Sequence, residues 1–130
     1  MAEIKWLHRE FIFAAHRAQL NQHGGSDGLR DEGLLESALA RPVNLAAYEE
    51  DVSTQAFAAA YLFGIAKNHP FVDGNKRVAY TAAEAFLILN GLTVTASQLE
   101  KYEMVIRVAS GQTEESEVFD WLKTHTQLAK

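Results

Sequence analysis

Residues 69–77 read His-Pro-Phe-Val-Asp-Gly-Asn-Lys-Arg, and this stretch separates two segments of helical character. The segment before it, residues 57–66, reads Phe-Ala-Ala-Ala-Tyr-Leu-Phe-Gly-Ile-Ala, and the segment after it, residues 78–89, reads Val-Ala-Tyr-Thr-Ala-Ala-Glu-Ala-Phe-Leu-Ile-Leu. Alanine and leucine, which occur in both segments, favour helices. Residues 69–77 are therefore predicted to connect two helices and to end at the N-terminus of the second one.

The second half of this loop has residue types that suit phosphate binding. The first turn of a helix presents unpaired backbone N–H groups and the positive end of the helix dipole, and it therefore binds anions. Gly74 allows a ligand to approach the backbone closely, and Asn75 can donate an amide N–H. Lys76 and Arg77 add full positive charges. We predict that these four residues bind a polyphosphate.

The first half of the loop predicts metal binding and proton transfer. Asp73 offers a hard carboxylate oxygen that can hold Mg²⁺ against the phosphates. His69 is a residue type that accepts a proton near neutral pH. Taken singly, each residue has a simpler explanation, because Asp-Gly-Asn often forms only a turn and Phe71 is expected to pin the loop to the core. The ordered combination favours the functional interpretation.

The rest of the chain predicts an all-α fold without repeats. Helices are expected over residues 7–22, from an N-cap at Asp31 to about residue 40, from an N-cap at Ser53 into the loop, and from a capping box at Thr95 to about residue 109, with a last helix over 114–125. Arg41-Pro42 is expected to end the second helix. Strands can come only from residues 42–52 or 91–95. His8 and His16 are expected on a solvated helix face.

Length and composition indicate one domain, residues 1–130, that is large enough for a core without disulfides. The chain contains no cysteine, which is compatible with a reducing cytoplasm. Its start lacks the basic and apolar regions of a signal peptide, and its apolar segments are too short to span a membrane. The net charge of −5 argues against general nucleic-acid binding. We expect a cytoplasmic protein that binds neither membranes nor nucleic acids.

The loop also resembles the signature of the Fic/Doc family, His-x-Phe-x-Asp/Glu-Gly-Asn-x-Arg. The positions that match are His69, Phe71, Asp73, Gly74, Asn75 and Arg77. The resemblance implies a compact helical bundle with a short irregular or β-like flap, and an enzyme that uses ATP and Mg²⁺. It assigns the base to a histidine, the metal to an acid and the phosphates to the residues that follow, in agreement with the chemistry above.

Two departures from the AMP-transferase pattern indicate the death-on-curing (Doc) branch of this family. AMP transferases of the family carry glycine where this chain has Lys76, and a second arginine where it has Tyr80. Residues 28–42 also resemble the Doc branch. The branch implies a toxin that transfers the γ-phosphoryl group of ATP to a Ser or Thr hydroxyl. AMP transfer is the alternative, and a non-catalytic helical interaction module is a third possibility from another class.

The resemblance further implies partners for the enzyme. The target is expected to be a translation factor, elongation factor Tu, aligned by a flap that pairs with extended target backbone. We place that flap in the aperiodic stretch of Asn44, Leu45, Ala46, Ala47 and Tyr48. The Ser110 to Glu114 spacing departs from the self-inhibitory motif of Fic proteins, because Glu115 follows it. Restraint is therefore expected from a separate antitoxin similar to Phd.

Overall fold

Helices make up most of the part of the chain that the computed structural model describes, residues 3–129. They are α1 (Arg9–His23), α2 (Glu32–Tyr48), α3 (Thr54–Asn68), α4 (Asn75–Leu89), α5 (Gln98–Ala109) and α6 (Glu115–Thr124). Two short strands, β1 (Leu92–Val94) and β2 (Thr126–Leu128), pair antiparallel with Leu92 opposite Leu128. The prediction of an all-α fold is confirmed.

The core is built around α3. Nearly every residue between Phe57 and Ala66 is buried, and α3 packs against α2, α4, α5 and α6. A helix that is apolar on all sides is stable only when neighbours surround it, which explains this central position. Because α3 ends at Asn68, α4 begins at Asn75 and the two helices pack on each other, the connecting residues 69–74 are held at both ends by the core. None of the helices within residues 3–129 is long and apolar enough to cross a lipid bilayer.

The second helix does not end at Pro42. It continues through this proline to Tyr48, so the predicted end near residue 40 is wrong. A proline inside a helix removes one backbone hydrogen bond and costs about 3 kcal/mol. Here Pro42 is itself buried, and Leu45 and Ala46 beyond it pack on the core. Their burial offsets the cost and keeps the last turns helical.

Residues 44–48 are therefore helical, and the expectation of an irregular or β-like flap there is wrong. The N–H groups of a helix are already donated to its own carbonyls, so this segment cannot add a strand to a target. The non-helical stretch between α2 and α3 is only residues 49–53. Tyr48, at the end of α2, has 87% of its surface exposed. A docking role for Asn44–Tyr48 stays a prediction, with a helical surface in place of an extended one.

Helix ends show which local signals were reliable. The Asp31 and Ser53 caps are confirmed, since their side chains accept from the N–H groups of Leu34 and Ala56. The capping box of α5 was misplaced by two residues, because it is formed by Ser97 and Glu100. β1 lies within one of the two segments expected to hold strands, whereas β2 was missed because it follows α6 after a single residue.

A close approach between α2 and α3 leads to the first prediction. A Cβ added to Gly64 would lie 3.3 Å from the Ala38 Cα, so α3 packs against backbone at this point. Gly64→Leu should lower the free energy of unfolding by about 1–3 kcal/mol, since overpacking forces the two helices apart. Urea denaturation measures the change. Ala14→Leu, at an exposed position of α1, is the control and should leave stability within about 0.5 kcal/mol. Equal stability of the two variants would contradict the packing described.

Candidate active site

Phe71 anchors the loop of residues 69–77 in the core, as the sequence predicts. It is 1% exposed, and the His16 ring from α1 stacks on it with the ring centroids 3.9 Å apart. The Asn75 amide forms two hydrogen bonds to the backbone of Phe71: its Oδ1 accepts from Phe71 N at 2.9 Å, and its Nδ2 donates to Phe71 O at 2.9 Å. The turn between α3 and α4 therefore has a fixed shape.

Gly74 places the first turn of α4 at the surface. It adopts a left-handed conformation, φ +80°, that residues with a side chain rarely take, and it is the N-cap of α4. The N–H groups of Asn75, Lys76 and Arg77 open the helix and have no carbonyl one turn before them. The side chains of Lys76 and Arg77 are exposed. The four residues predicted to bind phosphate are thus brought together at one helix N-terminus.

This N-terminus opens into a cavity of about 550 Å³ between α1, α4 and α5. Cavities of a few hundred cubic ångströms are typical of small-molecule sites. Lys101 enters from α5, with its ammonium 5.2 Å from the centre of the Tyr80 ring and 3.4 Å from Glu84 Oε2. The cavity therefore contains a third cation beside Lys76 and Arg77. Lys67, close to them in the sequence, lies instead near Gly111 on another part of the surface.

Asp73 stands at the edge of the cavity with its carboxylate exposed. Oδ2 accepts from Ser26 N at 3.2 Å and Oδ1 from Gly74 N at 3.3 Å, both long hydrogen bonds that leave acceptor capacity on each oxygen. Gly25 permits this approach of the α1–α2 loop, because a Cβ there would lie 3.1 Å from Oδ2. No three acidic or histidine side chains in residues 3–129 cluster closely enough to hold a metal alone. One carboxylate with phosphate oxygens and water is, however, a common Mg²⁺ environment.

His69 terminates α3 in a left-handed conformation, with φ 50° and ψ 56°, and its imidazole is exposed. Asn75 Nδ2 lies 3.3 Å from Nδ1. Since Phe71 O accepts from this amide, the Asn75 Nδ2 is held beside the Nδ1 edge of the ring. Partial burial, together with the positive charges of Lys76 and Arg30, lowers the pKa of His69 below its ordinary value. These effects favour the neutral form of the ring, which is the form that accepts a proton.

The structure assigns the Asn75 side chain a different task from the one predicted. Its amide is committed to Phe71 and directed toward His69, so the group left for a phosphate is the backbone N–H of Asn75. The phosphate contact stays a prediction for that N–H. The side chain holds the loop and steadies the imidazole.

Two residues near the loop were missed in the sequence. His16 was expected on a solvated face, but it is 3% exposed and its Nε2 lies 2.8 Å from Asp73 O. The signal for its burial was its position four residues after Ile12, on the face that packs inward. Arg30 donates to the carbonyls at the end of α3, a contact with no sequence signature because the partners are 38 and 39 residues away.

This constellation of histidine, acid and helix N-terminus between two core helices is that of the Fic/DOC family, and residues 6–87 match that family. The chain belongs to it. It is 35% identical over 120 residues to the protein kinase doc of Escherichia phage P1, covering 92% of this chain and 94% of that protein. It is also 40% identical over 94 residues to the toxin Doc of Mycolicibacterium smegmatis, covering 71% of this chain and 69% of that protein.

Proposed function

We propose that this protein is a Doc-type toxin, a kinase that transfers the γ-phosphoryl group of ATP to a Ser or Thr hydroxyl of a translation factor. The observation that carries the proposal is the N-terminus of α4, where exposed Lys76 and Arg77 border a cavity of about 550 Å³ and the side chain of Asn75 lies 3.3 Å from His69 Nδ1. The names of the two relatives, protein kinase doc and toxin Doc, support the activity and the biological role.

Phosphoryl transfer depends mainly on positioning and on electrostatic stabilisation, which this loop supplies. The first-turn N–H groups of α4, with Lys76 and Arg77, hold the γ-phosphate and stabilise the charge that develops on it. The target hydroxyl attacks the γ-phosphorus and gives its proton to the unprotonated ring nitrogen of His69, while the bond from phosphorus to the β–γ bridging oxygen breaks and ADP leaves. Asn75 keeps that ring in place. Asp73 would hold Mg²⁺, which neutralises phosphate charge when bound.

AMP transfer is the second candidate, and one observation favours it. Tyr80 carries no positive charge, which from sequence disfavours a phosphate at that point of the cavity. Lys101, however, brings an ammonium to within 5.2 Å of the Tyr80 ring centre. A triphosphate could therefore be held in either direction, and the preference for the γ-phosphate rests on Lys76 at the N-terminus of α4.

The deciding experiment is transfer with α-labelled and γ-labelled ATP in parallel, using purified elongation factor Tu as the target, followed by intact mass of the product. Label from γ-ATP alone and a phosphate adduct are expected. Transfer of the α-label by the parent protein would show that AMP transfer is the reaction. Absence of both labels, with elongation factor Tu and with cell extract, would favour a non-catalytic interaction module.

Lys76 gives the sharpest test of the choice between the two reactions. Lys76→Gly should weaken γ-transfer by about 10²-fold and should allow some α-label transfer, because the side chain both neutralises the γ-phosphate and excludes the α-phosphate. Glycine also weakens the first turn of α4 by up to about 1 kcal/mol. Lys76→Ala removes the charge without that cost, and Lys123→Ala, an exposed lysine of α6, is the control. Unchanged γ-transfer in Lys76→Ala would remove lysine from the mechanism.

The remaining parts of the proposal concern the setting of the enzyme. We place it in the cytoplasm, where ATP and translation factors are present. The toxin name of one relative supports a cognate antitoxin, for which a Phd-like protein is our proposal. Elongation factor Tu is the proposed target. Co-expression of a candidate antitoxin should restore growth and abolish transfer in the labelled assay.

A further inference from the structure

Three consecutive carbonyl groups at the end of α3 face one residue, Arg30, in the loop between α1 and α2. The guanidinium donates from Nη2 to Asn68 O at 2.8 Å and from Nε to His69 O at 2.7 Å. The backbone N–H of Arg30 donates to Pro70 O at 2.7 Å. Arg30 thus binds the backbone immediately before, at and after the histidine.

These contacts occur where the backbone most needs them. The last carbonyls of a helix have no partner within the helix, and His69 is a non-glycine residue in the left-handed region. Such a conformation persists only when its surroundings fix it. A guanidinium is a planar fork that donates two hydrogen bonds in a fixed relative geometry, so it sets the direction of two successive peptide groups together.

Neighbouring backbone contacts show that the two segments are joined along their length. Val72 N donates to Gly28 O at 3.0 Å, and Leu29 pairs with Phe71 in an isolated β-bridge. Asn68 Nδ2 donates to Leu34 O at 2.9 Å. The segment around Arg30 is therefore held against residues 68–72 even without the guanidinium. A variant at Arg30 changes the end of α3 while leaving that pairing in place.

We propose that Arg30 is a positioning residue for His69, because its guanidinium fixes the peptide groups that carry the imidazole and keeps a positive charge beside the ring. The inference rests on the proposed function, in which His69 takes the proton of the target hydroxyl. Arg30 itself does not line the cavity at the N-terminus of α4. It acts on the reaction through the backbone and the electrostatic environment of the histidine.

The charges around His69 give this role a measurable signature. Lys76 from α4 and Arg30 from the α1–α2 loop are the charged groups that act on the imidazole, and both lower its pKa, as partial burial also does. The Asp73 carboxylate, which lies in the same loop as His69, accepts hydrogen bonds from the backbone N–H groups of Ser26 and Gly74. Removing the Arg30 charge should raise the pKa of His69. Since only the unprotonated ring accepts a proton, the acidic limb of the pH–rate profile should then move to higher pH.

Two substitutions separate the positioning effect from the charge effect. Arg30→Gln removes both the planar guanidinium and its charge. Arg30→Lys removes the planar guanidinium but keeps a positive charge. Both should lower kcat at high pH about tenfold with MgATP affinity unchanged, because a small misplacement of a reacting group is costly. Only Arg30→Gln should move the acidic limb, and proton NMR should show the same displacement in the titration of His69. Arg17→Gln, an exposed arginine of α1, is the matched control.

A parent-like kcat and a parent-like His69 titration in Arg30→Gln would overturn the inference. If Arg30→Gln fails to fold by circular dichroism, Arg30→Lys decides, since an unchanged kcat in that variant is equally contradictory. The NMR titration needs no transfer reaction. A parent protein that transfers no label but shows the Arg30-dependent titration would therefore disprove the proposed function while supporting the effect of Arg30 on the histidine.

Discussion

Replacing His69 with alanine should reduce phosphoryl transfer by about 10² to 10⁴-fold while MgATP binds within a few-fold of the parent, since loss of a general base affects the transition state and not the ground state. Single-turnover transfer and nucleotide titration measure the two quantities separately. The position is left-handed, so alanine also strains the turn. His69→Asn is the better-matched variant, because asparagine tolerates this conformation and cannot act as a base.

The control for this prediction is His8→Ala, which removes an exposed histidine at the start of α1. It should transfer at the parent rate. Full activity in His69→Asn would mean that another group accepts the hydroxyl proton. A loss of nucleotide affinity equal to the loss of rate would mean that His69 serves binding and not proton transfer.

Asp73→Ala should abolish the dependence of nucleotide binding on Mg²⁺ and should reduce turnover by at least about 10²-fold, because the proposed carboxylate ligand is removed. The measurement is ATP affinity as a function of Mg²⁺ concentration, followed by the transfer rate at saturating ATP. The cause is electrostatic, since the phosphates and their developing charge would lose the cation that Asp73 would hold.

The matched variant here is Asp73→Asn. Asparagine keeps an oxygen that can accept from Ser26 N, so the α1–α2 loop stays in place, but it is a much weaker ligand than a carboxylate. Both variants should behave alike toward Mg²⁺. A parent-like Mg²⁺ dependence in Asp73→Asn would place the metal elsewhere. If Asp73→Asn keeps the turnover and nucleotide binding that Asp73→Ala loses, the role of Asp73 is to hold the loop.

The parts of the structure that follow from short-range patterns could be predicted from the sequence. The apolar segments on either side of residues 69–77 predicted α3 and α4, and Asp31 and Ser53 marked helix starts by direct capping. Pro42 gave the wrong helix end because local propensity was weighed without the burial of Leu45 and Ala46, which tertiary packing supplies. β2 is too short to show any period.

The same distinction applies to the candidate site. The motif placed histidine, acid, glycine and cations around one helix N-terminus, and the structure brings them together there. The sequence motif could not show that the Asn75 amide is hydrogen-bonded to Phe71, or that Lys101 enters the cavity from α5. The bonds of His16 and Arg30 to backbone carbonyls of the loop were beyond prediction for a similar reason, since each bond spans a long stretch of sequence. Such contacts depend on the fold and not on residue type alone.

These long-range bonds also bear on when the loop becomes ordered during synthesis of the chain. The sequence separation is 57 residues between His16 and Asp73, 47 between Ser26 and Asp73, and 39 between Arg30 and His69. Contacts of high sequence separation carry a larger loop-closure cost than local contacts, and they slow folding. A ribosome-bound chain that has exposed the motif but has not yet docked α1 and α2 would lack the ordered loop. The loop is therefore fully ordered only in a chain whose α1 and α1–α2 loop have docked on it.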